Sequence, residues 1–568
     1  MTERSEIIRE EAFEEDVNTS AAPVAPPVEV PVEPPKAAPP APPPFVPFPL
    51  WKAGIYAGSS LLLGLTQGLG LNLITANLMP LQAYFGATQQ EVGWIPAAYF
   101  ATNMTGTLLM FKIRNQFGMR RFAEIGIIVY VLLVIAHMFT NDLRSALVVR
   151  AMMGVAAAPL STLAFFYMLE WLPPAKKMTV GICFGMLGSS LALPLARVMS
   201  PALMQLGEWH GLYLLEVGLA LIALAVIFLV PITHPPRQKS FDKDDLISFP
   251  LLATGFGSLA IVLSMGRSYW WFEAPWLGVL TAVGIAALVA LALVELHRKS
   301  PMIDMRWVLS PQMLTFSGAL IAVRLLLSEQ SVGAVGLFTV LNISNDQLLP
   351  LFAIVSVVTF AGTYWLTTVI KPQRVAQLHL LALAAIAVAA WMDAHSSVLS
   401  RPEQFYVSQA LMGFATAIFL PPAMLSGFMN ALTRGPQYIL SFLTVFLTTQ
   451  TLGGMLGSAA MTTFVAIREQ FHSNILAQNI TLLDPIVAQR VQAYGGAYAK
   501  VLTDPALRDA KGLQLLGQAA TQQANVLAYN DLFMVIFVAT IATVAALLLH
   551  MAWGALNKPA AAPQAQPA

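Results

Sequence analysis

The chain reads as an all-α polytopic membrane protein. Three observations carry that reading: 57% of its 568 residues are hydrophobic and only 11% are charged, its mean hydropathy is +0.67, and apolar runs of bilayer length recur from Trp51 to Trp553. A soluble chain carries roughly 25% charged residues. Only helices and closed barrels leave no backbone group unpaired in hydrocarbon, and continuous apolar runs of roughly 20 residues are helices.

In order, fourteen spans are expected at 51–83, 91–113, 122–140, 143–170, 178–206, 210–232, 246–265, 276–296, 312–341, 347–370, 375–393, 404–430, 438–467 and 529–553. An even number places both termini on one side. Lys112, Arg114, Arg120 and Arg121 follow the second span, Lys176 and Lys177 the fourth, and Arg237, Lys239 and Lys243 the sixth. The next alternate connections hold Arg298, Lys299 and Arg306, then Lys371 and Arg374, then Arg434. The opposite short connections hold only Arg144, Arg267 and Arg401, so fifteen cations face three and both termini are expected in the cytoplasm.

Residues 1–49 oppose nine acidic side chains, from Glu3 to Glu33, to Arg4, Arg9 and Lys36 alone, and prolines crowd the stretch from Ala22 to Pro49. That composition favours an extended, disordered spacer over a packed core. No cleavable leader is expected, because the first apolar run starts near residue 51 behind an acidic stretch. A second tail is expected at 558–568. The connection 468–530 is the one long segment on the sparsely charged side; its apolar residues recur at helical spacing between Asp-Pro and Gly-Gly breaks, which predicts two or three amphipathic helices capping the membrane exit.

Chemistry of other kinds is poorly supported. Cys183 is the single cysteine and lies inside the fifth span, which excludes an intramolecular disulfide. No phosphate loop, metal-ligand cluster or nucleophile elbow appears, and His297, His379 and His472 are isolated in sequence. No cofactor, metal, nucleic-acid partner or catalytic residue is expected.

Several segments, in order, resemble the fourteen-helix drug/proton antiporter branch of the major facilitator superfamily, the EmrB/QacA-like proteins. NLITANLMP (72–80) is similar to the branch's D-x-T-x-x-N-x-A-L-P element, with Asn77 at its asparagine and Asn72, which carries no proton, at its aspartate. IRNQFGMRRF (113–122) resembles the cytoplasmic gating motif L-x-D-R-x-G-R-R/K: Gly118, Arg120 and Arg121 match, while Asn115 and Gln116 replace an ion-pairing Asp and Arg. RAMMG (150–154) resembles R-x-x-Q-G, and LPLARV (193–198) keeps only Pro194 of the antiporter signature G-P-x-x-G-G. VLSMGRSYWWFEAPW (262–276), SPMIDMRWV (300–308), QTLGGMLGSA (450–459) and LAYNDLF (527–533) match later elements.

The resemblance implies a major facilitator fold: two six-helix bundles at 50–232 and 299–557, with two inserted helices at 233–298, rocking about a midplane cavity. Buried ionisable residues are the candidates for proton coupling or substrate binding, since intramembrane charge is costly unless it has a function or a partner. These are Arg150, Glu216, Arg324 and Glu329, alongside Asn72 and Asn77. Arg324 and Glu329 are about 140° apart on one helix, so each needs a partner elsewhere. Arg197 is expected to snorkel from the fifth span. Met104, Met110, Met152 and Met153, with Phe165 and Phe166, could line an adaptable apolar wall, although ordinary packing is the commoner role.

The implied function is proton-driven export of small amphipathic, neutral or anionic compounds from the bacterial inner membrane. Its partners would be the substrate, protons, lipid, a periplasmic membrane-fusion adaptor and an outer-membrane channel. The alternatives are a degenerate transporter acting as sensor or scaffold, and a polytopic lipid-modifying enzyme. The enzyme would need an aqueous acid cluster, and FDKDD (241–245) reads as a solvated turn.

Overall fold

A computed structural model describes residues 47–233, 241–298, 301–435 and 438–556. All but the last three residues of the acidic tail, and the whole of 558–568, lie outside the described residues. Every regular element among those described is helical.

The long helices are α1 Leu50–Ala76, α2 Gln89–Phe117, α3 Met119–His137 and α4 Leu143–Glu170, then α5 Pro174–Gly207 and α6 Trp209–Leu229. The inserted pair is α7 Asp245–Met265 and α8 Pro275–His297. The second half contains α9 Pro311–Val340, α10 Asn345–Val369, α11 Pro372–Asp393 and α12 Pro402–Arg434, followed by α13 Tyr438–Asn479 and α14 Pro505–Leu556. Eleven are long and apolar enough to cross a membrane, all but α2, α3 and α13. Thr102, Asn103, Thr105 and Thr107 dilute α2, while α3 opens with Arg120, Arg121 and Glu124. Large apolar side chains such as Ile125, Leu132, Val148, Leu293 and Trp391 point outward. A soluble protein does not display so much apolar surface.

Local chemistry sets the boundaries. Thr88 and Glu91 form a reciprocal capping box at α2, and Asp142 caps α4 by accepting from the Ser145 amide. Gly118 joins α2 to α3 at φ 86°, ψ 155°, a conformation open essentially to glycine alone. One continuous helical segment runs over Ile182–Leu229, with Pro194 and Pro201 inside it, yet Gly211 packs on the Leu203 carbonyl. Eight residues of straight helix would separate those groups by about 12 Å, so the chain reverses there and makes two spans.

In the first half α1 packs on α4 and α5, and α3 on α4 and α6; in the second, α12 packs on α10 and α11, α13 on α9, and α14 on α11 and α13. The inserted pair lies against α2 through Leu108, Leu252 and Leu291 and through Ala97, Val262 and Leu277. α5 meets α10 across the halves, and Ile182 and Cys183 of α5 join the core of the second half. Small residues permit the closest crossings, as lipid-embedded helices require: a Cβ on Gly64 of α1 would lie 3.2 Å from the Gly188 Cα of α5.

The cap differs from two or three separate helices. α13 and α14 extend beyond their spans, and one separate helix, Pro485–Gly496, joins them. Gly495 and Gly512 let that helix lie directly on the α14 backbone. At the root of the cap Asp531 accepts from Arg468 Nε at 2.6 Å and lies 2.7 Å from His472 Nε2, so His472, isolated in sequence, has an acidic partner in space.

Candidate functional site

The interior holds two polar centres, one per half, and a tie at each end. In the first half α4 carries Arg150 into the core, where it is 1% exposed. Its guanidinium carbon lies 5.7 Å from the Tyr99 ring centroid and 5.8 Å from that of Tyr213. The Tyr213 side chain interacts with the guanidinium at hydrogen-bonding range, and no carboxylate among the described residues pairs with Nη1 or Nη2. His137 stacks on the far side of this group, 4.7 Å from Tyr213.

Glu216 on α6 is equally buried and accepts from the Tyr130 hydroxyl at 3.1 Å. It interacts electrostatically with Arg150, and the two form no direct ion pair. Gly70 of α1 makes room for it, since a Cβ there would lie 2.5 Å from Glu216 Oε1. Two of the candidate residues, far apart in sequence, therefore share one centre.

Asn72 is not part of that centre: its amide donates to the Gly68 carbonyl of its own helix at 2.8 Å. Asn77 sits at the break between α1 and the short helix Leu78–Phe85, donating to Ser200 Oγ at 2.7 Å. Asn345, the first residue of α10, donates to the Ala76 carbonyl at 3.2 Å and to Asn77 Oδ1 at 3.4 Å, and accepts from Arg197 Nη1 at 2.9 Å. These bonds latch the two halves together on the side that carries the cap. Arg197 does not snorkel; it is held by Asn345 and packs 5.5 Å from the Phe352 ring centroid. Trp271 adds a second tie by donating to Thr463 of α13 at 2.9 Å.

On the opposite, cation-rich side Arg120 pairs with Glu124 one turn along, and Arg121 is exposed. The buried ion cluster there is elsewhere: Asp245 lies 2.5 Å from Lys112 Nζ and 2.9 Å from Arg298 Nη2, and Arg298 Nη1 is 2.8 Å from Glu295. FDKDD is thus not a wholly solvated turn, because its last residue is buried between α2, α7 and α8. Pro194 is buried within α5. Of the proposed apolar wall, Met104, Met110 and Met153 are buried, but Met152 points outward. Phe165 packs towards the second half and Phe166 towards the first.

In the second half Arg324 and Glu329 part company as their spacing requires. Arg324 reaches α13, its Nε donating to the Gln450 carbonyl at 3.4 Å, and Gly453 and Gly454 make space for its side chain. Glu329 opens a π-helical turn, Glu329–Ala334, and is fully buried. It accepts from Gln409 Nε2 at 3.2 Å, and the same nitrogen donates to Asp393 Oδ2 at 2.9 Å. Asp393 and Gln409 are absent from the sequence-based candidates. Gln409 had a signal in an internal repeat, since Arg150-Ala-Met-Met-Gly154 on α4 recurs as Gln409-Ala-Leu-Met-Gly413 on α12; Asp393 had none.

Two lipid-embedded helical halves with buried charge at their centres define a membrane transporter, not an enzyme. The chain belongs to the Major Facilitator Superfamily, whose family model matches residues 60–458. Its curated relatives place it in the EmrB-like branch. It is 22% identical over 475 residues to "Probable multidrug resistance protein EmrY" of Escherichia coli (strain K12), covering 80% of this chain and 86% of that one. It is 20% identical over 492 residues to "Multidrug export protein EmrB" of Haemophilus influenzae, covering 79% and 86%. The structure of human MFSD10 superposes with a TM-score of 0.54 at 12% identity, covering 87% of this chain and all of that one, which shows the shared fold.

Proposed function

We propose that this protein is a proton-driven exporter of small amphipathic compounds, neutral or anionic, in a bacterial inner membrane. On this reading it has fourteen spans, two six-helix bundles (50–232 and 299–557) with an inserted pair between them, and both termini in the cytoplasm. The cap side is then periplasmic. The names of its curated relatives support drug export.

One observation carries the chemistry: a fully buried guanidinium with no ion-pair partner among the described residues, in the same centre as a buried carboxyl. An unpaired charge in such surroundings is costly, so an arriving anionic or strongly accepting group is stabilised there. Glu216 is the proton carrier in this scheme, and its charge biases Arg150 and thereby the bundle equilibrium. Leu483, Ile486 and Val501 stand exposed on the cap, an apolar surface suited to a membrane-fusion adaptor that continues to an outer-membrane channel.

Reconstitution into proteoliposomes with an imposed pH gradient tests the scheme. Glu216→Gln should abolish gradient-driven accumulation while leaving substrate exchange intact; full accumulation in that variant removes Glu216 from coupling. Arg150→Gln should weaken anionic substrates most, and preferential export of lipophilic cations by the unmodified protein contradicts the substrate class.

A further inference from the structure

We propose that Glu329, Asp393 and Gln409 form a second proton-binding site, in the C-terminal bundle, which takes up and gives back one proton shared by the two carboxyl groups. The inference needs no transported compound and goes beyond the exporter reading.

Each side chain comes from a different helix, and all three are at most 2% exposed. Gln409 directs its amide nitrogen at both acids, 2.9 Å from Asp393 Oδ2 and 3.2 and 3.5 Å from Glu329 Oε1 and Oε2. A primary amide has two N–H donors, whereas two ionised carboxylates offer about eight acceptor positions. No Lys, Arg or His among the described residues makes an ion pair with either acid. The surrounding elements bring neutral groups: Gln330 and Ser328 from α9, Ser408 from α12, Gly457 from α13 against Ser328, and Phe533 from α14 against Gly333. One turn from Gln409 the Phe405 and Phe338 rings pack with centroids 4.9 Å apart.

Two buried carboxylates that share the Gln409 amide, with only the Ser408 hydroxyl besides at Asp393 and no cation at either, cannot both stay ionised. One proton between them removes the repulsion and converts an acceptor into a donor. Gln409 Oε1 is itself buried, with no donor among the described residues, so the site's polar groups are left short of protons.

The repeat supplies the contrast. Where α4 sets Arg150 beside a buried acid, α12 sets Gln409 in the same five-residue pattern. The first bundle meets its acid with a fixed cation; the second meets its two with a neutral amide, leaving the counter-charge to a mobile proton. Glu329 also opens a π-helical turn, a feature frequently found at functional sites.

Infrared pH-difference spectra of the purified full-length protein in lipid nanodiscs test this without any substrate. At neutral pH the wild type should show a carboxylic-acid carbonyl band that is missing from Glu329→Gln/Asp393→Asn, fades on alkalinisation and returns on re-acidification. Equal bands in both proteins mean that both acids are ionised, and a band that persists at alkaline pH means a fixed structural proton; either overturns the proposal. Asp393→Glu keeps the acid and should shift the band in frequency, so an unshifted band places the proton elsewhere and also overturns it. Failure here leaves the Glu216 transport result untouched, and the reverse holds.

Discussion

Gly70 decides how closely Glu216 approaches α1, for a Cβ there would lie 2.5 Å from Glu216 Oε1 and 3.0 Å from the Tyr130 hydroxyl. Gly70→Ala should therefore push the carboxyl out of its place and cut gradient-driven transport by roughly tenfold or more, an effect on the order of 1.4 kcal/mol. Gly54→Ala, where nothing lies within 4 Å, should leave transport unchanged in the same flux assay. At Gly118 the cost is conformational: Gly118→Ala strains a φ of 86° and should destabilise the protein by about 1–3 kcal/mol, read as a lower Tm in detergent. Single residues were legible in the sequence to very different degrees. A lone charge in mid-span, such as Arg150 or Glu216, announces itself through its cost in hydrocarbon. Asp393 closes an apolar run, and there a carboxyl reads as an ordinary interface residue; Gln409 carries no charge, so hydropathy passes over it.

Among the elements, α2, α7 and α8 are fastened at the cation-rich side by Lys112, Asp245, Arg298 and Glu295. The Arg298 and Asp245 side chains are only 3% and 2% exposed. Removing one member leaves buried charge without compensation, so Arg298→Leu should cost about 3–5 kcal/mol, measured by denaturant or thermal unfolding in detergent. Arg120→Leu, at an exposed pair one helical turn long, should change stability by less than about 0.5 kcal/mol. The gating motif named Arg120 and Arg121 because spacing along the chain was all it had to work with. The buried cluster joins residues 133 positions apart in sequence, at Lys112 and Asp245, and only packing could bring them together. Span positions, by contrast, follow from local composition, and α4 and α11 end where hydropathy placed them. The reversal at Gly211 could be read as a gap between two runs, but not as a turn inside one continuous helical segment.

For the whole molecule, the decisive contacts are those that cross between halves. Asn345 ties α10 to the end of α1 and to Arg197, so Asn345→Leu should loosen the cap side and shift the population towards a state open there. Replacing Cys183 by Ser gives a cysteine-free background, and spin labels at Met79→Cys and Leu349→Cys then report the separation. The distance distribution should move to longer values in Asn345→Leu, and an unchanged distribution shows that the latch does not set the equilibrium. The same connectivity gives the cap a mechanical meaning. α13 runs 42 residues without a break, roughly 63 Å at the helical rise, and α14 leaves the same half beside it. Both shafts are rooted in one bundle, so the cap behaves as the tip of a lever. A shaft that enters at one face of a roughly 30 Å hydrocarbon core has its tip about 48 Å from the midplane, so each degree of bundle tilt displaces it by about 0.8 Å. Anything resting on that tip would feel the transport cycle as a stroke.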